Sequence, residues 1–321
     1  MRFALACFVL VQCIAVAQAE FVEAINAKWK ARDVSLKSLD VALAIDWIDE
    51  GKLKKAAEHD VFAPLDTSRE TFRFLLSNGK CAYQYDAIEK GSPISRQSGK
   101  NDSGDEAPMT VRYIKTKQRF NGSILKTSVD GGFGRPIGQE MIGENQGSDL
   151  LKTSHCQSIL IAYSPIRAIT LLGYDPKKLV ASDKQYEVDG VSHIRLRVPG
   201  QIEMLVQPET GLVSRWIRIS SKGRSVDTRF EYDKLELVRF EQRRISRNQS
   251  QSRMVATATL ARRNPPIDNS RFKLEFEVGT HFKRQEPDRK NVYFEQTVEG
   301  RKPISKSKFG RLPKDSPWRE K

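Results

Sequence analysis

Four histidines, His59, His155, His193 and His281, are the first residues to consider for catalysis or metal binding. They are scattered along the chain, and none has a second ligand at the short spacing of a metal site. His155 and Cys156 are adjacent, which could suggest a cysteine nucleophile beside a histidine base. A cysteine that forms a disulfide is not kept as a thiolate, however, and cannot attack a substrate. We therefore expect no metal site and no catalytic residue.

The glycine-rich stretch and the carboxylates give little indication of a phosphate-binding or catalytic site. Residues 128–134 resemble a phosphate-binding loop only in their glycines, because the Lys-Ser/Thr pair that holds phosphate and metal is missing. The Gly-x-Ser-x-Gly pattern of a nucleophile elbow does not occur. Asp and Glu are plentiful, but the sequence cannot place two of them across a glycosidic bond. We predict a non-catalytic protein without a cofactor, and an enzyme that uses two carboxylates is the alternative.

The N-terminus has the three parts of an export signal. Arg2 supplies the positive charge, residues 3–17 are almost all apolar, and Ala17-Gln18-Ala19 has the small-x-small pattern of a cleavage site. The apolar stretch is shorter than the ~20 residues of a membrane-spanning anchor. A lipoprotein signal would need a small residue before Cys13, where Gln12 stands. We predict a signal peptide over 1–19, a mature chain from Glu20, and a periplasmic or extracellular location.

The predicted location outside the cytoplasm determines how the cysteines are interpreted. Cys7 and Cys13 lie inside the predicted signal peptide, so Cys81 and Cys156 are left in the mature chain. An even pair in a compartment that permits oxidation predicts a disulfide between Cys81 and Cys156. Two separate buried thiols are the alternative, because a single pair does not define a disulfide framework.

The formal net charge of +14 is concentrated in two blocks. Residues 239–263 contain seven arginines against Glu241, and residues 301–321 contain eight lysines and arginines. Such blocks favour attraction to an anionic membrane or a cell-wall polymer. Nucleic acid is not expected as a partner, because the aromatic and basic signature of a single-strand binder is missing. A solvated basic strand plus a basic disordered tail over 301–321 is the plainer interpretation.

Two short helices are predicted. Apolar residues at three- and four-residue steps indicate a helix over 21–32: Phe21, Val22, Ile25 and Trp29. Ser164 and Pro165 suit the N-cap and the first position of a second helix over 164–172.

The rest of the chain is typical of antiparallel strands. Asn78-Gly79, Asn121-Gly122 and Asp189-Gly190 are hairpin turns between alternating segments, and residues 91–108 and 130–149 are expected to be loops. Alternation is cleanest from Tyr186 onward and ends with a predicted strand over 272–278. A meander with one apolar face must curl to hide it. We predict an α+β fold of mostly antiparallel strands, a curved half-open β-barrel that covers two or more short helices.

The order of these segments resembles the LolA/LolB-like superfamily of envelope proteins, including the RseB-type N-terminal domain. The resemblance spans about 21–300 and depends on the helix with Trp29, the hairpins of 71–129, the stretch from Gly173 to Gly190, the unit from Ile202 to Arg215, and Phe272–Thr280. It implies a single half-barrel domain over 20–300 with an apolar cavity, and a carrier of lipids or lipidated proteins.

We therefore expect a non-catalytic envelope protein that binds a lipid or an acyl chain in the concave face of the curved sheet. The residues predicted to line the cavity are large and apolar: Trp29, Phe72, Phe74, Tyr113, Met204, Trp216, Phe230, Phe272 and Phe276. The alternative is a protein-interaction or sensor module without a small ligand, which would bind its partner at a sheet edge or through the basic segments.

Overall fold

The structure is a computed structural model that describes residues 2–49, 69–91, 110–130, 136–219, 224–245, 252–287 and 289–311. Its helices are α1 (Arg2–Ser35), α2 (Gln146–Leu151), α3 (Ser154–Tyr163) and α4 (Pro165–Leu171), with short 3-10 turns at Pro176–Lys178 and Asn269–Phe272. Among the residues described, no helix has both the length and the apolar character needed to cross a membrane.

The strands are listed here in chain order. They are β1 (Ser38–Asp49), β2 (Arg69–Ser77), β3 (Lys80–Gly91), β4 (Thr110–Phe120), β5 (Ile124–Asp130), β6 (Ile137–Ile142), β7 (Val180–Val188), β8 (Val191–Val198), β9 (Ile202–Val206), β10 (Val213–Ile219), β11 (Ser225–Asp233), β12 (Glu236–Ile245), β13 (Ser252–Arg263), β14 (His281–Gln285), β15 (Val292–Thr297) and β16 (Gly300–Ile304).

The chain divides into two compact units, which we call unit 1 and unit 2. Unit 1 comprises Met1–Val41, Ile45–Thr67 and Leu151–Asn264, and unit 2 comprises Ala42–Ala44, Ser68–Leu150 and Pro265–Lys321. The prediction of a single domain over 20–300 stays a prediction.

Unit 1 is an antiparallel meander covered by helices. Strands β7 to β13 pair in sequence order, and β7 ends that order, so the sheet does not close. Helix α1 packs against β7 and α4, and α3 packs against β12. The predicted helices over 21–32 and 164–172 are confirmed as parts of α1 and α4. The α+β class with mostly antiparallel strands in a curved, unclosed sheet is confirmed as well.

The opposite face of the unit 1 sheet carries ion pairs that cross from strand to strand. Arg195 pairs with Glu203 at 2.6 Å and Arg215 pairs with Asp227 at 2.7 Å. Glu241 accepts from both Arg243 and Arg253, each at 2.7 Å. A further pair joins Arg239 to Glu231 at 3.1 Å. Arg263 and Glu236 also pair, at 3.0 Å, but beside the Tyr163 ring of α3 and so on the side that the helices cover. Much of the arginine block over 239–263 is therefore neutralised locally by carboxylates on the same sheet.

Unit 2 begins with a second meander. Strands β2 to β6 pair antiparallel, β14 pairs parallel with β6, and β15 and β16 continue antiparallel. At the first hairpin Asn78 has φ +48° and Gly79 has φ +74°, the two positive values that a type I′ turn requires. The predicted hairpins around Asn78-Gly79 and Asn121-Gly122 are confirmed.

The predicted loop over 130–149 is wrong where the structure describes it, because 137–142 form β6 and α2 begins at Gln146. A Cβ at Gly138 would lie 2.5 Å from the Phe276 ring, and one at Gly147 would lie 2.6 Å from the Phe120 ring. The glycines therefore permit aromatic rings to approach the backbone of regular elements. Most of the predicted loop over 91–108 lies outside the described residues.

The predicted closing strand over 272–278 is also wrong. Phe272 and Phe276 are buried, but Val278 of the same predicted face is 63% exposed, and the segment is a 3-10 turn followed by irregular chain. Alternation reports which side chains of an extended chain face the core, and it does not require hydrogen bonds to a neighbouring strand.

The disordered tail predicted from residue 301 is wrong over 301–311. Strand β16 pairs with β15, and Arg301 donates to the Glu140 carboxylate at 3.0 Å. The Phe309 ring packs at 5.1 Å from the Tyr293 ring, and the backbone N–H of Gly310 donates to Nδ1 of His281 at 3.1 Å. Strand pairing, an ion pair, an aromatic contact and a backbone hydrogen bond hold this segment, although its composition is that of a solvated tail. Residues 312–321 lie outside the description.

The predicted disulfide is not formed among the residues described. Cys81 is buried on β3 in unit 2, where its Sγ lies 3.8 Å from the carbonyl oxygen of Gly147. Cys156 is buried on α3 in the core of unit 1. The two cysteines therefore pack in separate cores, which was the alternative considered from the sequence.

Candidate functional site

A groove of about 850 Å³ lies in unit 1 between residues 18–30 of α1 and the start of β7. Its volume is within the range of small-molecule sites, about 300–1,000 Å³. The lining residues come from α1 and from the chain that enters β7: Gln18, Ala19, Val22, Glu23, Asn26, Ala27, Lys30, Lys177, Leu179, Val180 and Ala181.

The floor of the groove is apolar. Val22, Leu179 and Ala181 are each less than one-tenth exposed, and Ala27 adds a methyl group at the side. Val22 faces β7 because it lies on the same side of the helix as Ile25 and Trp29, which are buried in the core. Ala181 faces inward because side chains alternate along β7, where Val180 is exposed.

The rim of the groove is polar and carries more positive than negative charge. Lys30 on α1 and Lys177 before β7 are exposed lysines of the lining, and Glu23 is its exposed carboxylate. The Asn26 side chain donates to the carbonyl oxygen of Pro176 at 3.3 Å, which joins the two sides. An apolar floor under a cationic rim suits a molecule with one apolar chain and an acidic head.

The C-terminal half of α1 is fixed to the same unit by hydrogen bonds to backbone carbonyls. Lys28 Nζ donates to the oxygens of Pro208 at 2.5 Å and Glu209 at 2.9 Å. Arg32 donates to the oxygen of Ala162 at 2.8 Å, and burial followed by the charge of Arg263 lowers the pKa of this guanidinium. The part of α1 that forms one wall of the groove is therefore held in place by these hydrogen bonds.

The structure gives the predicted lining residues core positions in two different units. Trp29, Met204, Trp216 and Phe230 belong to unit 1, whereas Phe72, Phe74, Phe272 and Phe276 belong to unit 2. All eight are buried, and none of them lines the groove. The side chain of Tyr113 lies outside the described residues.

Trp216 does line a smaller cavity of about 80 Å³ under α3. Its walls are polar, because Gln157, Arg218, Thr228 and Gln242 share the lining with the indole ring. Arg218 donates to Gln157 Oε1 at 2.9 Å, so part of this polarity is satisfied within the protein. The cavity is too small and too polar for an acyl chain.

Sequence reasoning missed Leu179 and Ala181 as lining residues. Both come from the short stretch Leu179-Val180-Ala181, which has no aromatic residue, and a search for aromatic residues on alternating strands passes over it. Val22 was found as part of the predicted helix but not as part of a site. The one sequence signal for this segment was the Asp175-Pro176 pair, which is typical of the start of a short helix. In the structure it starts a 3-10 helix, and the Asp175 side chain accepts from the N–H of Lys177 at 2.9 Å.

The histidines that the structure describes make their contacts within the protein core or with neighbouring strands. His193 lies between the carbonyl oxygen of Val191 at 2.8 Å and Ser214 Oγ at 2.6 Å. His155 is held neutral because burial, with a smaller contribution from the charge of Arg244, lowers its pKa to about 4. Within the described ranges, no three His, Cys, Asp or Glu side chains are grouped as a metal site would require. His59 is not among the described residues.

The comparisons with known proteins give a structural likeness. No protein-family model matches the chain, and no curated protein matches it. A solved DUF1329 family protein from Desulfovibrio piger has 10% identity and a TM-score of 0.36, and the alignment covers 78% of this chain and 97% of that one. A LolA superfamily protein from Nitrosomonas europaea has 10% identity and a TM-score of 0.35, with the same coverage of both chains.

Proposed function

We propose that this protein is a non-catalytic envelope protein that binds an amphiphile with one apolar chain in the groove between α1 and β7. The observation that carries the proposal is the groove itself, a cavity of about 850 Å³ with a buried apolar floor. The predicted export signal supports a role outside the cytoplasm.

The chemistry of the lining fits a lipid or fatty acid. Each methylene group removed from water at Val22, Leu179 and Ala181 contributes about 0.8 kcal/mol. About ten buried methylenes therefore supply the roughly 8 kcal/mol of micromolar binding, and the cost of association calls for a longer chain or a contribution from the head group. Lys30 and Lys177 at the rim would attract an acidic head while leaving it in water. We therefore expect a fatty acid to bind more tightly than the fatty alcohol of the same length.

Two substitutions on one helix test this proposal. Ala27 and Ala24 are both exposed residues of α1, but only Ala27 lines the groove. Ala27→Trp fills the groove, and we expect it to weaken binding of a fluorescent fatty acid at least tenfold. Ala24→Trp adds the same ring outside the lining, and we expect an affinity within twofold of the wild type.

Extraction of the purified protein with organic solvent, followed by mass spectrometry, identifies the natural ligand. We expect a bound lipid in the wild type and in Ala24→Trp, and its loss in Ala27→Trp. An extract without lipid, together with no response from the fatty-acid probe, would overturn the proposal. Equal binding of the fatty-acid probe by the two variants would show that the binding site lies outside the groove.

Cleavage of the predicted signal peptide would change one end of the groove, because Gln18 and Ala19 belong to its lining. We expect the form that begins at Glu20 to bind the probe at least as tightly as the full chain. The mass of the exported protein shows which form is present, and the two forms can be titrated side by side.

Strand addition at β7 is the second candidate function. β7 ends the strand order of unit 1, and its side chains Val180 and Val188 are 42% and 37% exposed. An exposed edge can accept an extended segment of a partner protein. A partner recovered from envelope extracts equally well by the wild type and Ala27→Trp, with no lipid in either protein, would favour this function.

A further inference from the structure

The polar cavity under α3, of about 80 Å³, lies in unit 1 apart from the groove. None of the described residues that line it also lines the groove. One buried water takes up about 10–15 Å³ of such space, so the cavity has room for several waters or for one molecule of about five non-hydrogen atoms. Six of its lining residues form two rows across strands β10, β11 and β12, which we call the inner row and the outer row.

The inner row is buried beneath α3. Trp216 on β10 lies opposite Thr228 on β11, and Thr228 lies opposite Gln242 on β12. The three residues are 4%, 1% and 3% exposed. Gln242 Nε2 lies 3.5 Å from Ser158 Oγ on α3, so the row is on the face of the sheet that this helix covers.

The inner row contains one buried donor and one buried acceptor without partners. Among the residues described, neither Trp216 Nε1 nor Gln242 Oε1 has a hydrogen-bond partner. Ser158 Oγ donates to the carbonyl oxygen of Ser154 at 3.1 Å, so it accepts from Gln242 Nε2, and the amide oxygen is the atom left over. Because unpaired buried polar atoms are costly, this lining calls for a bound molecule that accepts from Trp216 and donates to Gln242.

The outer row carries positive charge. Arg218 on β10 and Arg244 on β12 lie on the two sides of Val226, two residues beyond the inner row. Neighbouring strands are about 4.8 Å apart, so the backbones of the two arginines are about 10 Å apart and both side chains can reach one anion above Val226. Arg218 donates to Gln157 Oε1 at 2.9 Å, and Arg244 lies over the Trp47 ring at 5.7 Å. Neither arginine has an ion pair with a residue that the structure describes.

The first turn of α3 adds to the positive potential. The helix begins at Ser154, which lines the cavity, and the side chain of Thr153 at the N-cap makes no capping hydrogen bond. The positive end of the helix dipole therefore lies at the cavity. None of the described lining residues is acidic. The lining thus favours a negatively charged group and disfavours an ammonium group.

We propose that this cavity binds a small hydroxycarboxylate, whose carboxylate lies between Arg218 and Arg244. Guanidinium groups bind carboxylates through paired, charge-assisted hydrogen bonds. The hydroxyl of the ligand donates to Gln242 Oε1, and one of its oxygens accepts from Trp216 Nε1. Glycolate, with about five non-hydrogen atoms, fits the volume. Glycine has the same size, but its ammonium group would lie beside two arginines.

NMR titration of the full chain with glycolate at low ionic strength, observed at isotope-labelled indole nitrogens, tests the site. We expect the indole N–H signal of Trp216 to shift saturably, because this donor gains an acceptor. The signal of Trp29, whose donor is bound to Gly211, should stay unchanged. Trp216→Phe removes the shifting signal and assigns it. Acetate lacks the hydroxyl and leaves Gln242 Oε1 unpaired, so we expect it to bind at least tenfold more weakly than glycolate.

Two matched substitutions test the role of the outer row. Arg244 is exposed, so Arg244→Gln is expected to fold normally, and we expect it to weaken glycolate binding at least tenfold. Arg229 is exposed on the opposite face of β11, next to Thr228. Arg229→Gln removes the same charge from the same sheet, and we expect a change of less than twofold. Both affinities are measured on the shifting indole signal and do not depend on the folding of Trp216→Phe.

Three results would overturn the proposal. The absence of a saturable shift with glycolate would show that the cavity holds only water. Equal affinities for acetate and glycolate would refute the role of the hydroxyl, and equal effects of Arg244→Gln and Arg229→Gln would refute the role of the outer row. A chain that binds glycolate but no fatty acid would refute only the proposed function, and the reverse result would refute only this site.

Discussion

The indole Nε1 of Trp29 donates a hydrogen bond of 2.8 Å to the carbonyl oxygen of Gly211, 182 positions further along the chain. Trp29 is fully buried, and Gly211 has a φ of +71°. A Cβ at Gly211 would lie 3.4 Å from the Cβ of Lys28 and 3.5 Å from Cδ1 of Trp29. The contact fixes α1 on the turn before β10, and α1 is one wall of the groove.

Loss of this hydrogen bond should destabilise unit 1. In Trp29→Phe the Gly211 oxygen loses its buried donor, and Arg32 Nη1 at 3.3 Å compensates only in part. We expect the free energy of unfolding to fall by about 1–3 kcal/mol in urea denaturation. Val34→Ala, at a position of α1 that is 81% exposed, is the control and should stay within about 0.5 kcal/mol of the wild type. Equal midpoints for Trp29→Phe and the wild type would contradict this prediction.

Deletion of residues 301–321 should lower the melting temperature. It removes Arg301 from the buried Glu140 carboxylate and the Phe309 ring from Tyr293. We expect a loss of at least about 2 kcal/mol, or several degrees, because a buried carboxylate loses a hydrogen-bonded cation. Deletion of 312–321 alone leaves these contacts in place and is the matched control. If the longer deletion melts like the shorter one, the segment 301–311 does not stabilise the fold.

His155 should make stability depend on pH on the acid side. Its pKa in the folded chain is lowered to about 4, mainly by burial, whereas an unfolded histidine has a pKa of about 6.5. Above pH 6.5 both states are neutral. As the pH falls from 6.5 towards 4, only the unfolded chain takes up the proton, so the free energy of unfolding decreases by up to about 1.4 kcal/mol per pH unit.

Urea denaturation of the wild type and His155→Gln at several pH values between 4 and 8 measures this effect. The carboxylates that titrate in the same range are present in both proteins, so the difference between the two curves isolates His155. We expect the variant to lose less stability than the wild type below pH 6.5. Parallel curves would show that His155 is protonated in the folded chain as readily as in the unfolded one.

Cys81 should be unreactive in the folded protein, because burial raises the pKa of its thiol to about 12. We expect no alkylation of Cys81 by iodoacetamide at pH 8 under native conditions and rapid alkylation in denaturant. A cysteine introduced at the exposed position of Val34 (Val34→Cys) is the positive control. Peptide mapping of oxidised protein should find no peptide that joins Cys81 to Cys156, and such a peptide would refute the structure at both residues.

Turn chemistry and alternation in the sequence were sufficient to predict the hairpins. Asn78-Gly79 and Asp189-Gly190 take positive φ angles at all four residues, as their types suggest. These signals are local, since a turn and its flanking side chains lie within about ten residues. The ligand-lining role of the large aromatic residues could not be predicted in this way, because a buried Phe230 and a cavity-lining Phe230 have the same sequence pattern.

The sequence by itself determined the α+β class, most of the strands and two helices, because side-chain alternation and turn preferences act between near neighbours. Only the tertiary structure decided that Val22 and Ala181 form the floor of one groove and that Arg301 pairs with Glu140. Each of these contacts joins residues more than a hundred positions apart. Their formation depends on how helices and turns pack on the sheet, which no local preference encodes.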